Sequence, residues 1–160
     1  MSAKYYSLTF DTPIGKLCPV SDGKYITEIL FGGCPGCFEN GESVLVLQNA
    51  KTQINEYLAG KRIAFDLPIR FISGTPFQKD VWNAIKSIPY GQTASYGSLA
   101  ININRPRAYR AVGTACSANT LPLIIPCHRV VASRGEGGFT GGMHIKRFLL
   151  SLEEKYLNLK

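Results

Sequence analysis

Histidine is scarce in this chain, with two in 160 residues, and both of them, His128 and His144, lie in the second half. A mixed Cys/His zinc site in the first half is thereby excluded. Cys34-Pro35-Gly36-Cys37 has only Cys18 in the same half as a further thiolate, whereas a structural zinc wants four ligands. No metal site is expected, and for this CxxC pair free thiols, a local disulfide or a metal stay open. The five cysteines (18, 34, 37, 116 and 127) are an odd set, which argues against a disulfide scaffold and leaves at least one thiol for packing or chemistry. No apolar run approaches the ~18 residues that a membrane helix needs. Met1-Ser2-Ala3-Lys4-Tyr5 has no apolar stretch behind it, so no secretory signal is expected. The expectation is a cytoplasmic protein, or a nuclear one if the source has a nucleus. Acidic residues are also in short supply, 11 Asp+Glu against 18 Lys+Arg, for a net charge of +7. That balance suits a polyanionic partner, because each neutralised phosphate releases a counterion. Repeats and low-complexity tracts are absent, and a hydrophobic fraction of 45% excludes a disordered tail.

What is present falls into two parts. Lys4–Phe10, Lys16–Val20 and Tyr25–Phe31 carry β-formers and are separated by Thr12-Pro13-Ile14-Gly15 and Ser21-Asp22-Gly23, which predicts an antiparallel meander. A helix over 43–58 follows, with Leu47, Ala50, Ile54, Tyr57 and Leu58 on one face and Gly60 as its stop. Ile63–Leu67 reads as a further strand. Phe71-Ile72-Ser73-Gly74 reads as a linker, giving an N-terminal α/β domain over 1–72 and a C-terminal domain over 73–160.

After the linker, Thr75-Pro76-Phe77-Gln78 has a Thr cap, Pro at the first helical position and Gln at the third, a strong helix start. Phe77, Val81, Trp82 and Ile85 give that helix its buried face, and Ile88-Pro89-Tyr90-Gly91 ends it. Short helices over 95–101 and 106–116 flank a basic turn. This matches a helix-turn-helix, whose second helix lies on DNA in known examples. The turn segment 104–110 holds Arg105, Arg107 and Arg110 and no acid. A last helix is predicted over 142–158. The run Gly135–Gly142 lacks a GK[ST] ending and follows Arg134 rather than a buried strand, which excludes a nucleotide cradle.

The stretch richest in chemistry is Asn119–Val131, with Pro126-Cys127-His128-Arg129-Val130 at its centre. A nucleophilic thiol needs a base or a positive charge to supply thiolate, and His is the usual provider. Adjacent side chains on a strand point to opposite faces, so Cys127 and His128 couple only if the backbone turns after Pro126. A buried Cys at an apolar strand end is the competing reading.

Pro126-Cys127-His128-Arg129-Val130 resembles the active-site signature of the O6-alkylguanine-DNA alkyltransferases, the methylated-DNA–protein-cysteine methyltransferases. The likeness continues in Gly74-Thr75-Pro76-Phe77-Gln78, Ile88-Pro89-Tyr90-Gly91, Ser95-Tyr96-Gly97, Arg110-Ala111-Val112-Gly113, Asn119, Gly141-Gly142 and Lys146-Arg147-Phe148-Leu149-Leu150. These blocks keep the family's order from Thr75 to Glu154. The first half is similar in layout rather than in motifs. The resemblance implies an α+β protein: an N-terminal antiparallel sheet with a helix, RNase H-like, and a C-terminal helical domain with a helix-turn-helix.

It further implies repair of double-stranded DNA containing alkylated bases. The damaged guanine, and alkylated thymine in some cases, is flipped out, and its alkyl group passes irreversibly to a cysteine, one per molecule and without a cofactor. A monomer with no obligate protein partner is expected. By resemblance Cys127 is the acceptor, His128 deprotonates it through a water, and Glu153 polarises the histidine. Tyr96 would donate to the guanine and help move the flanking phosphate. Arg110 would fill the gap in the base stack, on a helix that also offers Arg107 and Ala111 to DNA. Asn119 would brace the active-site loop, and backbone groups near Cys127 and Val130, with Thr140 from the glycine-rich loop, would read the purine edge. The glycine-rich run would be a loop closing over the flipped base. Thr120 stands where the family has Pro, Phe148 where Trp is common, and Cys116 is an unusual thiol, read as a bystander. The alternative is a non-catalytic lesion sensor of the alkyltransferase-like kind, which the presence of Cys127 opposes. A cysteine hydrolase would need an oxyanion hole and a distant His, and a plain helix-turn-helix regulator leaves the Pro-Cys-His-Arg-Val segment unexplained.

Overall fold

A computed structural model describes residues Ser2–Leu159. The chain divides into two compact units, Met1–Ile72 and Ser73–Lys160. Among the described residues no helix is long and apolar enough to cross a membrane.

The first unit is a four-stranded sheet backed by a helix. Strands β1 (Tyr6–Ser7), β2 (Leu17–Ser21), β3 (Ile26–Phe31) and β4 (Glu39–Asn40) lie in the order β3-β2-β1-β4. The β1-β2 and β2-β3 pairs are antiparallel, with Tyr6 opposite Ser21 and Leu17 opposite Phe31. The expected first strand is cut short by chemistry. Leu8 donates to the Pro19 carbonyl at 3.2 Å, but Pro19 has no N–H to return the bond, and pairing resumes only as a bridge at Phe10.

Two expectations are corrected here. The sheet is not a pure meander, because β4 joins β1 in parallel, held by Glu39 N–H to Tyr5 at 2.9 Å and Gly41 N–H to Ser7 at 2.9 Å. Its Glu and Asn are poor strand formers and gave no signal. Ile63–Leu67 is not a strand. Its polar backbone is satisfied by side chains instead: Gln53 accepts from Asp66 N–H at 2.8 Å and donates to Asp66 O at 2.9 Å, and Arg62 donates to Ala64 O at 3.0 Å. Contact with the sheet comes just beyond, where Ile69 bridges Ile26. Helix α1 (Leu45–Leu58) starts at Leu45 rather than Ser43 and buries Leu47, Ala50, Ile54, Tyr57 and Leu58.

The second unit is mainly helical. Helix α2 (Pro76–Lys86) opens with a complete capping box: Thr75 Oγ1 accepts from Gln78 N–H at 3.1 Å and Gln78 Oε1 from Thr75 N–H at 2.9 Å. Strand β5 (Ala94–Ser95) pairs in parallel with β6 (Val130–Val131), a two-residue pair too short to leave a sequence signal. Helices α3 (Tyr96–Asn102) and α4 (Tyr109–Ser117) form the helix-turn-helix. Pro106 lies in the turn rather than in α4, because Ala108 N–H closes onto Arg105 O at 2.8 Å before the helix begins. A 3-10 turn, Cys127–Arg129, precedes β6, and α5 (Met143–Leu157) ends the fold.

Candidate active site

The site is built on the segment between α4 and β6. Residues Leu121 to Val130 are all buried. Such a loop has to find partners for its backbone, and Asn119 supplies two of them. Its Nδ2 donates to Ile125 O at 3.0 Å and its Oδ1 accepts from Leu121 N–H at 2.9 Å. Within this clasp Leu123 sits at φ 73, a left-handed conformation uncommon for a branched side chain. Ile125 O also receives the Cys127 N–H at 2.7 Å.

The 3-10 turn settles how Cys127 and His128 relate. Three residues per turn separate successive side chains by about a third of a rotation, so neighbours leave the backbone in different directions. Cys127 faces a small cleft lined by Tyr96, Gly113, Cys116, Ser117, Gly138, Phe139 and Thr140. His128 points inward, fully buried, with Nε2 2.9 Å from Glu153 Oε1. Arg129 turns to the same carboxylate: Nη2 donates to Oε1 at 2.7 Å, Nε reaches both oxygens at 3.1 and 3.0 Å, and Nη1 donates to Ile88 O at 2.7 Å. Gly91 N–H adds a 3.1 Å bond to Glu153 Oε2. Glu153 on α5 therefore ties together the turn, the loop after α2 and the imidazole.

Electrostatics follow from burial. Burial pushes the Cys127 thiol above its ordinary value, opposed by Asn119, by the N–H groups of Cys127 and His128 and by the Lys146 ammonium. Burial also drives His128 below its usual value against the pull of Glu153, so the folded protein favours a neutral imidazole. Lys146 is fully buried on α5, and its Nζ donates to Val130 O at 2.6 Å and Gly138 O at 3.0 Å.

The glycine-rich segment lies over Tyr96. The Tyr96 hydroxyl accepts from Gly138 N–H at 3.3 Å. Gly137, at φ +72, approaches so closely that a Cβ there would stand 2.7 Å from that hydroxyl. Only glycine meets both conditions. Glu136 and Arg147 close the outer end with a two-pronged ion pair, 2.7 Å at the shortest. Thr140 is exposed, with Oγ1 3.5 Å from Ser117 O.

Of the residues singled out from sequence, Cys127, Tyr96 and Thr140 line the cleft, and His128 and Glu153 stand behind it. Asn119 holds the loop. Arg107, Arg110 and Ala111 are exposed on the turn and on α4. Val130 is fully buried, its N–H bonds to Cys127 O, and its carbonyl accepts from Lys146. Sequence reasoning quoted Arg129 and Lys146 within motif blocks but gave neither a role in the site. Lys146 did leave a signal, standing three residues before Leu149 and seven before Glu153 on the apolar stripe of α5.

Two sequence models cover nearly the whole chain: "6-O-methylguanine DNA methyltransferase, ribonuclease-like domain" matches residues 4–71, and "6-O-methylguanine DNA methyltransferase, DNA binding domain" matches residues 76–155. The chain belongs to the 6-O-methylguanine DNA methyltransferase family. A methylated-DNA–protein-cysteine methyltransferase of Methanosarcina acetivorans is 40% identical over 154 residues, covering 93% of this chain and 97% of the relative. The Haemophilus influenzae protein of the same name is 39% identical over 160 residues, covering 96% and 88%. Among solved structures, Mycobacterium tuberculosis OGT in complex with DNA aligns with a TM-score of 0.86 at 37% identity, over 96% of this chain and 94% of that one. Membership agrees with the α+β architecture and with a sheet-bearing unit followed by a helix-turn-helix.

Proposed function

We propose that this protein repairs DNA by taking the alkyl group of an O6-alkylguanine onto Cys127, once per molecule and without return. The observation that carries the reading is the placement of Cys127: a thiol on a tight turn at the floor of a cleft, backed by a buried His128–Glu153 pair. Glu153 accepts from Nε2–H and so leaves Nδ1 as the basic nitrogen of His128. That nitrogen takes the Cys127 proton through a bridging water, and the carboxylate steadies the imidazolium that results. The Cys127 sulfur then displaces O6 of the flipped guanine in an SN2-like step. The C–O bond breaks as the C–S bond forms, and the departing purine anion takes a hydrogen bond or a proton.

The remaining residues bind and orient. Tyr96, whose burial and Gly138 contact fix its ring, donates to the purine as it enters. Thr140 and the loop backbone flank the base, and Asn119 keeps the turn in register. Arg110 and Arg107, exposed on the basic helix-turn-helix, meet the duplex, with Ala111 letting the helix approach closely. The affinity from phosphate neutralisation serves damaged and undamaged DNA alike, while the cost of unstacking, a few kcal/mol, is smallest at a damaged pair. The protein acts on double-stranded DNA as a monomer and without a cofactor.

Intact mass after mixing with an oligonucleotide containing one O6-methylguanine tests this directly. The expected result is one methylene equivalent gained, located on Cys127 and saturating at one per molecule. An unchanged mass with retained lesion-dependent binding would replace the transferase by a lesion sensor.

A further inference from the structure

The acceptor is not the only thiol in its cleft. Cys116, near the C-terminal end of α4, lines the same cleft as Cys127. The Lys146 ammonium interacts with both sulfurs, and both are free thiols. Two sulfurs therefore border one cleft and one cation.

We propose that Cys116 is the resolving thiol for Cys127: a hydroperoxide converts the pair to a Cys116–Cys127 disulfide that stores the acceptor in reducible form. The chemistry balances in two steps. The Cys127 thiolate attacks one peroxide oxygen, the O–O bond breaks, and Cys127 becomes a sulfenic acid while the other oxygen leaves, after protonation, as water or an alcohol. The Cys116 sulfur then attacks the sulfenic sulfur, the S–O bond breaks, and water departs with the Cys116 proton. The net change is the loss of two hydrogens from the protein and two electrons to the peroxide.

Electrostatics favour this order. Burial, and next the charge that a Cys127 thiolate carries, push the Cys116 thiol up to about 12; burial raises the Cys127 thiol as well, and Cys127 is the one of the two that His128 converts to thiolate. Oxidising Cys127 to a neutral sulfenic acid removes that repulsion when the second sulfur has to attack. In a protein whose acceptor is used once, over-oxidation of Cys127 to a sulfinic acid is as final as alkylation. A disulfide is the form from which a reductant recovers the thiol.

The inference rests on Cys127 being the activated thiol of the proposed transferase, yet its test is read independently of alkyl transfer. Full-length protein is treated with hydrogen peroxide, alkylated at remaining thiols and mapped by peptide mass. A Cys116–Cys127 cross-link is expected, with alkyl uptake from the O6-methylguanine oligonucleotide lost and then restored by dithiothreitol. In Cys116→Ser, peroxide should drive Cys127 to sulfinic acid, and dithiothreitol should fail to restore uptake. A cross-link confined to Cys18, Cys34 or Cys37, or a stable Cys127 sulfenic acid in the wild type, overturns the proposal. Loss and recovery that are identical in wild type and variant overturn it equally. Failure of the transferase reading would show separately, as absence of alkyl uptake by the untreated protein.

Discussion

In the first unit the buried polar residues among those described are Ser21 and Thr27, whereas the second unit encloses His128, Arg129, Lys146 and Glu153. The two hydroxyls settle locally: Ser21 Oγ accepts from Gly23 N–H at 2.9 Å and Thr27 Oγ1 donates to Val20 O at 3.3 Å. The four ionisable groups cannot be settled so cheaply, since stripping water from each ion costs several kcal/mol before any partner repays it. The first unit is thus organised as an apolar core under a sheet. The second carries electrostatic cost in its interior, and that cost is concentrated around Cys127. Buried charge marks the place where position matters more than stability.

The largest test of this contrast is Cys127→Ser, which should abolish alkyl uptake by intact mass while fluorescence anisotropy still reports DNA binding. Continued uptake would move the chemistry out of the charged interior altogether. Next come two deletions of similar size and different origin. Arg129→Ala leaves Glu153 buried without its guanidinium and should lower stability by about 3–5 kcal/mol. Leu47→Ala, at a fully buried position in the first unit, should cost about 2–5 kcal/mol through its cavity. Urea midpoints at unchanged slope read both, and an Arg129→Ala variant of wild-type stability would show the ion network to be dispensable.

A smaller effect separates the units by pH. Burial holds His128 below the ordinary imidazole range, so in mildly acidic solution the unfolded chain binds a proton that the folded one refuses. The stability this contributes is present above the unfolded pKa and drains away as pH falls below it. Urea midpoints should therefore drop on acidification from about pH 7 to about pH 5, and His128→Gln should flatten the drop. A variant with the wild-type slope would remove the imidazole as its source. The smallest effect belongs to the surface. Arg107→Ala should reduce the slope of log K against log[salt] for DNA by about 0.9, the value for one phosphate contact. An unchanged slope would take that side chain out of the interface.

How far the sequence disclosed all this depended on how local the causes are. The capping box at Thr75 and Gln78 is complete within four residues, and it was readable. The turn after Pro126 was readable as a condition, since only a turn couples neighbouring side chains. Pairings such as β4 with β1 and β5 with β6 involve two residues each, and no periodicity survives at that length. The absent strand at 63–67 was overridden from a distance by Gln53, a polar helix residue that no strand pattern contains. Arg129 and Lys146 stood in quoted motifs without a role, because neither a motif nor a count of cations tells a buried cation from an exposed one.

The single tryptophan of the chain sits where it can watch this chemistry. Trp82 is buried in α2, and its indole N–H donates to the Ala115 carbonyl of α4 at 2.8 Å, one residue from Cys116. With no second indole to dilute the signal, its emission colour and lifetime are a built-in optical gauge of that helix. A stopped-flow fluorimeter could then time α4's response to DNA, to alkylation or to oxidation on unlabelled protein.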